Sequence, residues 1–337
     1  MNNPLRPYYA FGCDEATGGR GPTHKISAQL LRYGIKKLYI VARSKTKYDA
    51  ALSTWCERPD VNVQSQEKGE FSQRVEFIPC DLGDIQDVKN AAEQILRKTD
   101  RLDMLLCNAA LPISPTYTLS PQSIELIFAV NHVGHHILVS LLLPLMKATI
   151  TRHKTNDARI VVTSSSLHHF CQELDLDSLT SPTPLKSACW DGVWRYGRSK
   201  LANILFTREL SQRLMDGEDD DASKHIYVNS FFPGNIATDQ MDVWQHYLGF
   251  ALGWAFRRVF SVMGQTPQDG AATALFLAAS EKIKEGEGVR GQYYIPIGKL
   301  ESTSSIAQDM DLAQGLWEWT DQRIAETLGE NWRVSRV

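Results

Sequence analysis

Short apolar runs alternate with longer segments of helical period along most of the chain. "KKLYIVAR" (36–43), "RVEFIPCDL" (74–82), "LDMLLCNAA" (102–110), "ARIVVTSSS" (158–166), "IYVNSFFPG" (226–234) and "GQYYIPIG" (291–298) are rich in β-branched or aromatic residues and end in Gly, Pro, Asp or Ser. They read as buried strands, and their nearly unbroken apolar character predicts a parallel sheet covered on both faces. Between them the spacing predicts helices over 24–33, 84–98, 121–147, 195–215 and 267–280. In "SPQSIELIFAV", Ser120 suits an N-cap and Pro121 a first helical turn. The repeated strand–helix order predicts an α/β fold, a doubly wound parallel sheet with helices on both faces. Such sheets bind ligands beyond the carboxyl ends of their strands.

Some segments break this rhythm. Residues 167–194 form a long connection rich in Ser, Thr, Pro and Asp, and residues 235–266 read as an insertion. "DGEDDDASK" (216–224) is an acidic loop, read as a solvated turn. No internal repeat or linker divides the chain. The expectation is one domain over 1–337, with its core at about 8–300, the insertion at 235–266 and a helical extension at 301–337.

Composition narrows the function. The 337 residues can bury a sizeable core, and a formal net charge of −3 without a long basic block argues against nucleic acid as a partner. Six cysteines show no CxxC pair and mostly lie in apolar surroundings, as reduced thiols do. The start, "MNNPLRPYYAFGC", carries no signal-peptide core, and no apolar run reaches the ~18 residues of a membrane span. The expected location is cytoplasmic.

The strongest chemical signal is "WRYGRSKLANILFTREL". Tyr196 and Lys200 are four residues apart on a helical pattern and so share one face. A phenol near pKa 10 is a poor acid–base group at neutral pH, and a neighbouring ammonium favours its ionised form. The pair suits an alcohol–carbonyl interconversion. Ser165 closes a strand, and Asn131 sits in the apolar helix "FAVNHVGHHIL", where a buried amide must find partners. "CDL" (80–82), "CNAA" (107–110) and "FFPGNIATD" close three further strands.

Together these residues resemble the short-chain dehydrogenase/reductase superfamily over roughly 8–300. The run "YGRSKLANILFTRELSQRL", with "PGN", "GAAT" and "GQYY" after it, resembles the branch of retinol dehydrogenases and the WW-domain oxidoreductase. The resemblance implies a Rossmann-type fold and roles for matching residues. Tyr196 exchanges a proton with the substrate oxygen, and Lys200 lowers the tyrosine pKa and bonds the nicotinamide ribose. Ser165 polarises the carbonyl, and Asn131 holds a water in the proton relay. Asp81 and Leu82 lie beside the adenine, Asn108 beside the adenosine ribose and Thr238 near the carboxamide; Tyr196 and Lys200 also border the cofactor. In "CNAA" the family's final Gly is Ala110, which narrows the space there. Arg43, at the end of "IVAR" and followed by Ser44 and Lys45, suits a 2′-phosphate better than a free 2′-hydroxyl, which favours NADP(H).

The phosphate loop departs from the family's TGxxxGxG. "DEATGGRGPTHK" (14–25) follows the apolar stretch "YYAFGC" and has glycines at Gly18, Gly19 and Gly21. An ungapped count puts Thr17 and Thr23 at glycine positions. Alignment on "ATGGRG" puts Glu15 at one, and a loop one residue short keeps Gly18 and Gly21. Each alignment loses a glycine, and Pro22 lacks an N–H donor. A working NADP(H) cradle and a weakened one both stay open.

His132, His135, His136, His168 and His169 lack the carboxylate or cysteine spacing of a metal site, so no metal is expected. The aromatic stretch 243–260 reads as a lid over the substrate pocket or as a contact with an internal membrane surface. Either implies a bulky apolar substrate such as a retinoid, a steroid or a polyketide of secondary metabolism. Dimers and tetramers are usual in the family; a homodimer is compatible with the sequence, and the long insertions stand to obstruct it. The leading expectation is an NADP(H)-dependent oxidoreductase interconverting carbonyl and alcohol. The alternative is a non-redox enzyme of the same fold (isomerase, dehydratase or cyclase) with weakened cofactor binding. A silent scaffold is disfavoured by the intact Ser165, Tyr196, Lys200 and Asn131.

Overall fold

The computed structural model describes residues 8–12, 22–58, 73–155, 157–184, 188–217, 221–234, 249, 266–285 and 289–333. The apolar runs become strands: β1 (Tyr8–Gly12), β2 (Lys37–Ala42), β3 (Val75–Pro79), β4 (Met104–Cys107), β5 (Ala158–Thr163), β6 (Ile226–Phe231) and β7 (Tyr293–Ile295). A short β8 (Lys299–Leu300) follows. The sheet order is β3-β2-β1-β4-β5-β6-β7-β8, parallel except for β8 against β7. The order reverses between β1 and β4, so the ligand crevice of such a sheet opens above their carboxyl ends.

The helices are α1 (Pro22–Arg32), α2 (Lys45–Cys56), α3 (Ile85–Lys98), α4 (Leu126–His153), α5 (Ala188–Asp216), α6 (Pro267–Ala279), α7 (Lys282–Glu285) and α8 (Met310–Leu328). One apolar cluster joins α3, α4, α5 and α8 to one face of the sheet. A second joins α1, α2 and α6 to the other. The doubly wound arrangement expected from the strand–helix rhythm is therefore present.

Helix boundaries differ from the expectation at three places. Ser120 and Pro121 do not open α4. The Ser120 hydroxyl accepts from the Ile124 amide at 3.1 Å, and Ser123 takes a positive φ of 59°. The result is a tight turn, stabilised by local side-chain bonding that competes with helix. The cap is Glu125, whose carboxylate accepts from the amides of Ile127 (3.1 Å) and Phe128 (2.9 Å). Second, α5 starts at Ala188, so the irregular connection is shorter than 167–194. Third, α2 had no sequence signal, because its apolar positions hardly segregate to one face; only Tyr48 and Trp55 are buried. Across Leu126–His153, α4 is long and apolar enough to cross a bilayer, beyond what the unbroken apolar runs indicated, yet most of that surface is buried inside the protein.

Glu125 sits in a polar knot with no solvent access. Arg195 of α5 reaches it at 2.9 Å and Asp191 at 2.5 Å, and donates to the carbonyls of Ser114 (2.8 Å) and Thr116 (3.3 Å). This one guanidinium ties the start of α4, the loop before it and α5 together. Gly134 of α4 lies on the Leu82 carbonyl, where a Cβ would collide with backbone, so α4 seats directly on the turn after β3.

Histidines fill much of the remaining polar core. His24 accepts from the Trp55 indole at 3.1 Å, joining α1 to α2. His136 donates to Asp321 of α8 at 2.9 Å, and His132 spans Asn203 of α5 (3.4 Å) and Thr320 of α8 (3.3 Å). Trp317 of α8 stacks on Phe206 of α5 at 5.6 Å. Within 301–337, α8 completes the core over α4 and α5.

Two predictions follow from this packing. Arg195→Met leaves Glu125 buried and unpaired, and the expected loss is about 3–5 kcal/mol in urea unfolding. Burial lowers the pKa of His24, His135 and His168 to about 4. A lowered folded pKa makes the unfolded chain bind more protons. Each histidine's contribution is therefore complete above about pH 6.5 and lost as pH falls toward 4, worth up to roughly 3 kcal/mol. The urea midpoint should drop steeply across that window; a flat profile would contradict neutral buried imidazoles.

Candidate active site

The carboxyl ends of β2, β3 and β4 frame an open cleft. Val41, Ala42, Ala109, Ala110 and Leu111 give it apolar walls, and Arg43 and Asp81 a polar edge. Small flat walls beside a charged edge fit the base and ribose of a nucleotide. Asp81 accepts from the Gly83 amide at 2.8 Å and meets the Arg43 guanidinium at 3.6 Å. Arg43 shares the edge with Asp81. Leu82 lines the same cleft. Asn108, past the end of β4, accepts from the Thr163 hydroxyl at 2.6 Å, locking the ends of β4 and β5 together.

Beyond β5 lie the acid–base residues. Lys200 is buried in α5 and donates to the Thr163 carbonyl at 3.2 Å. Its ammonium is 5.4 Å from the Tyr196 ring centroid, so the shared helix face expected from their spacing is present. Asn203, one turn further along, donates to the same Thr163 carbonyl at 3.0 Å. Ser164 turns inward and donates to the Lys200 carbonyl at 2.7 Å. Ser165 lies two residues past the end of β5. Its hydroxyl accepts from the Leu167 amide at 3.2 Å and caps a 3₁₀ turn over Ser166–Phe170. Gly197 permits close approach here: a Cβ would stand 2.8 Å from the Leu167 carbonyl. The residue after Tyr196 is thus pressed against the turn that Ser165 begins.

Asn131 is fully buried in a π-helical turn, Ala129–Val133, inside α4. Such turns interrupt the i→i−4 ladder and often mark functional positions. Its carbonyl oxygen accepts from the Leu111 amide at 2.7 Å, and its amide donates to the Leu111 carbonyl (3.2 Å) and the Ser199 hydroxyl (3.0 Å). Ser199 in turn donates to the Tyr196 carbonyl at 2.8 Å. Asn131 thereby joins the end of β4 to the turn of α5 that carries Tyr196.

The structure therefore gathers Asn131, Ser165, Tyr196 and Lys200 at one end of the sheet. Gly18, Gly19, Gly21 and Thr238 lie outside the described residues, as do most of the 235–266 insertion and the 243–260 stretch. Pro22 opens α1, a position where the missing N–H costs the helix nothing. Sequence reasoning missed Glu125, Arg195, Ser199 and Asn203. Ser199 and Asn203 lie within the motif run, and their spacing on the Tyr196 helix was the available signal. His168 is buried, with Nδ1 2.7 Å from the Ser165 carbonyl. The buried Cys80 and Cys107 thiols are pushed up in pKa by desolvation, which makes them inert rather than reactive.

The short chain dehydrogenase family profile matches residues 17–171. A short-chain dehydrogenase/reductase of Armillaria gallica is 30% identical over 85% of this chain and 84% of its own length. Human retinol dehydrogenase 14 is 34% identical, covering 72% of this chain and 65% of its own. The chicken WW domain-containing oxidoreductase is 33% identical, over 76% and 57% respectively. Among solved structures, 3-ketoacyl-(acyl-carrier-protein) reductase from Brucella melitensis complexed with NADH aligns with a TM-score of 0.57 at 19% identity, covering 86% of this chain and 96% of that one. The Pseudomonas aeruginosa RhlG/NADP complex aligns at 0.57 and 20%, covering 88% and 98%. With the fold and these relatives in agreement, the chain belongs to the short-chain dehydrogenase/reductase family of oxidoreductases.

Proposed function

We propose that this protein is an NADP(H)-dependent oxidoreductase that interconverts a carbonyl and an alcohol on a lipophilic small molecule. The observation that carries the reading is the buried Lys200, fixed to the end of β5, beside Tyr196. Tyr196 exchanges a proton with the substrate oxygen, and the Ser165 hydroxyl donates to that oxygen and polarises it. Lys200 stabilises the ionised phenol, and Asn131 holds the Tyr196 turn in register through Ser199. When bound, the nicotinamide supplies or accepts the hydride, which no side chain can do. Residues 18, 19 and 21, with Thr238, are assigned to its phosphates and carboxamide by family resemblance.

Preference for the phosphorylated cofactor rests on Arg43. Its guanidinium stands at the polar edge of the nucleotide cleft, where a 2′-phosphate takes a charge-assisted bond in competition with Asp81. The named relatives include a retinol dehydrogenase and solved complexes with NADP and with NADH, which supports a nicotinamide cofactor and a lipophilic substrate class.

Tyr196→Phe should lower kcat for carbonyl reduction by roughly 10²- to 10⁴-fold while leaving NADPH affinity unchanged by fluorescence titration. NADPH turnover surviving at the parent rate would sink the mechanism. Arg43→Glu should weaken NADPH relative to NADH by about 10- to 100-fold, the worth of one charge-assisted contact. An unaltered ratio of the two dissociation constants would remove Arg43 from cofactor selection.

A further inference from the structure

The turn that Ser165 begins is closed by a ring three residues further on. His168 is fully buried in the 3₁₀ turn over Ser166–Phe170. Its Nδ1 lies 2.7 Å from the Ser165 carbonyl oxygen, which also accepts from the His168 amide at 3.2 Å. A carbonyl only accepts, so Nδ1 carries the proton and Nε2 presents a lone pair. That lone pair faces the Ser304 amide, which donates to it at 3.5 Å. Burial, opposed by the bond to Ser165, lowers the ring's pKa to about 4. The imidazole is therefore neutral at physiological pH, with its one donor and its one acceptor both in use.

The ring is also held from the side. Tyr293 of β7 meets it edge-on, with the ring centroids 5.1 Å apart, and His169 packs on it at 3.9 Å. Ser304 follows β8, in a segment with anchors of its own. The Glu301 amide donates to the Tyr293 carbonyl at 3.0 Å, and Arg208 of α5 donates to the Thr303 hydroxyl at 3.2 Å. His168 thus bridges two stretches of chain 136 residues apart, the turn after β5 and the segment after β8.

Ser165 has little freedom inside this arrangement. Its hydroxyl oxygen accepts from the Leu167 amide, and its carbonyl is held twice by His168. A shift of the Ser165 peptide plane would carry the hydroxyl with it, and a displacement of about 1 Å in a reacting site costs roughly 10²-fold in rate.

We propose that His168 is a positioning residue for Ser165: with Nδ1–H on the Ser165 carbonyl and Nε2 on the Ser304 amide, it lets the segment after β8 hold the serine hydroxyl at the substrate oxygen. No proton moves onto the imidazole. The role rests on the oxidoreductase reading above, whereas the tautomer and its bonds can be measured without turnover.

The test has two arms. In the first, ¹⁵N NMR of the parent protein reads which ring nitrogen of His168 is protonated, the resonance being assigned by its loss in His168→Asn. A proton on Nδ1 is expected. A proton on Nε2 overturns the proposal, even if the protein reduces no carbonyl. In the second arm, kcat and KM for carbonyl reduction are compared in His168→Phe, which loses both bonds, and in His168→Asn, which keeps a donor near the place of Nδ1. His168→Phe should lower kcat by about 10- to 100-fold at unchanged KM, and His168→Asn by less. In a Ser165→Ala background, where the hydroxyl is gone, His168→Phe should cost less than about twofold more. Equal losses in the two backgrounds, equal losses in the two His168 variants, or parent kcat in either variant would overturn the proposal. If melting curves show that His168→Phe does not fold, His168→Asn carries the same cycle with Ser165→Ala. Absence of carbonyl reduction by the parent protein would defeat the functional reading alone and leave the NMR arm to decide.

Discussion

The carbonyl oxygen of Thr163 is where sheet and chemistry meet. It is the last residue of β5, where the strand runs out and its backbone acceptor must find other partners. Two side chains of α5 supply them, the Lys200 ammonium at 3.2 Å and the Asn203 amide at 3.0 Å. Both lie on the face of α5 that carries Tyr196, so satisfying one strand-end carbonyl fixes the rotation of the whole helix about its axis. Ser164 adds the reciprocal bond, donating to the Lys200 carbonyl. A helix turned by one residue would lose all three bonds in a buried setting, at a cost of several kcal/mol. The phenol is aimed because the strand end is satisfied.

Around that anchor, buried polar groups do work that apolar packing alone would leave loose. Asn131 joins the β4 end to Ser199, Arg195 joins Glu125 to the preceding loop, and His132 joins Asn203 to α8. Each is a directional contact between elements far apart in sequence. Directional contacts specify one arrangement where hydrophobic area would tolerate several. Gly134 and Gly197 permit the close backbone approaches on which these bonds depend.

Six strands were legible because most of their residues are buried on both faces, which writes a nearly unbroken apolar run into the chain. Tyr196 and Lys200 were legible because helical spacing alone brings them together. The turn at Ser120 was not: Ser then Pro ahead of an apolar segment also spells a helix start, and only the bond from the Ile124 amide to the Ser120 hydroxyl diverts it. Glu125 carried no signal because its partner, Arg195, lies 70 residues away. For the same reason the link from Arg43 to Asp81 was not legible, since it is made only by the side-by-side alignment of β2 and β3. α2 escaped because its burial rests on two aromatic residues rather than a stripe. The histidines were seen as a cluster, but their separate partners on α5 and α8 come from tertiary contact alone.

The seating of α8 has a consequence for how the molecule is made. Trp317, Thr320 and Asp321 meet Phe206, His132 and His136, so a late-synthesised helix covers a flank of α4 and α5 synthesised before it. During translation α4 and α5 leave the ribosome more than a hundred residues ahead of that cover, counting from Asp216 at the end of α5 to Leu328 only as far as synthesis must still run. Their apolar flank stays uncovered in the nascent chain until residue 328 emerges, which makes this stretch of surface a natural ligand for holding chaperones.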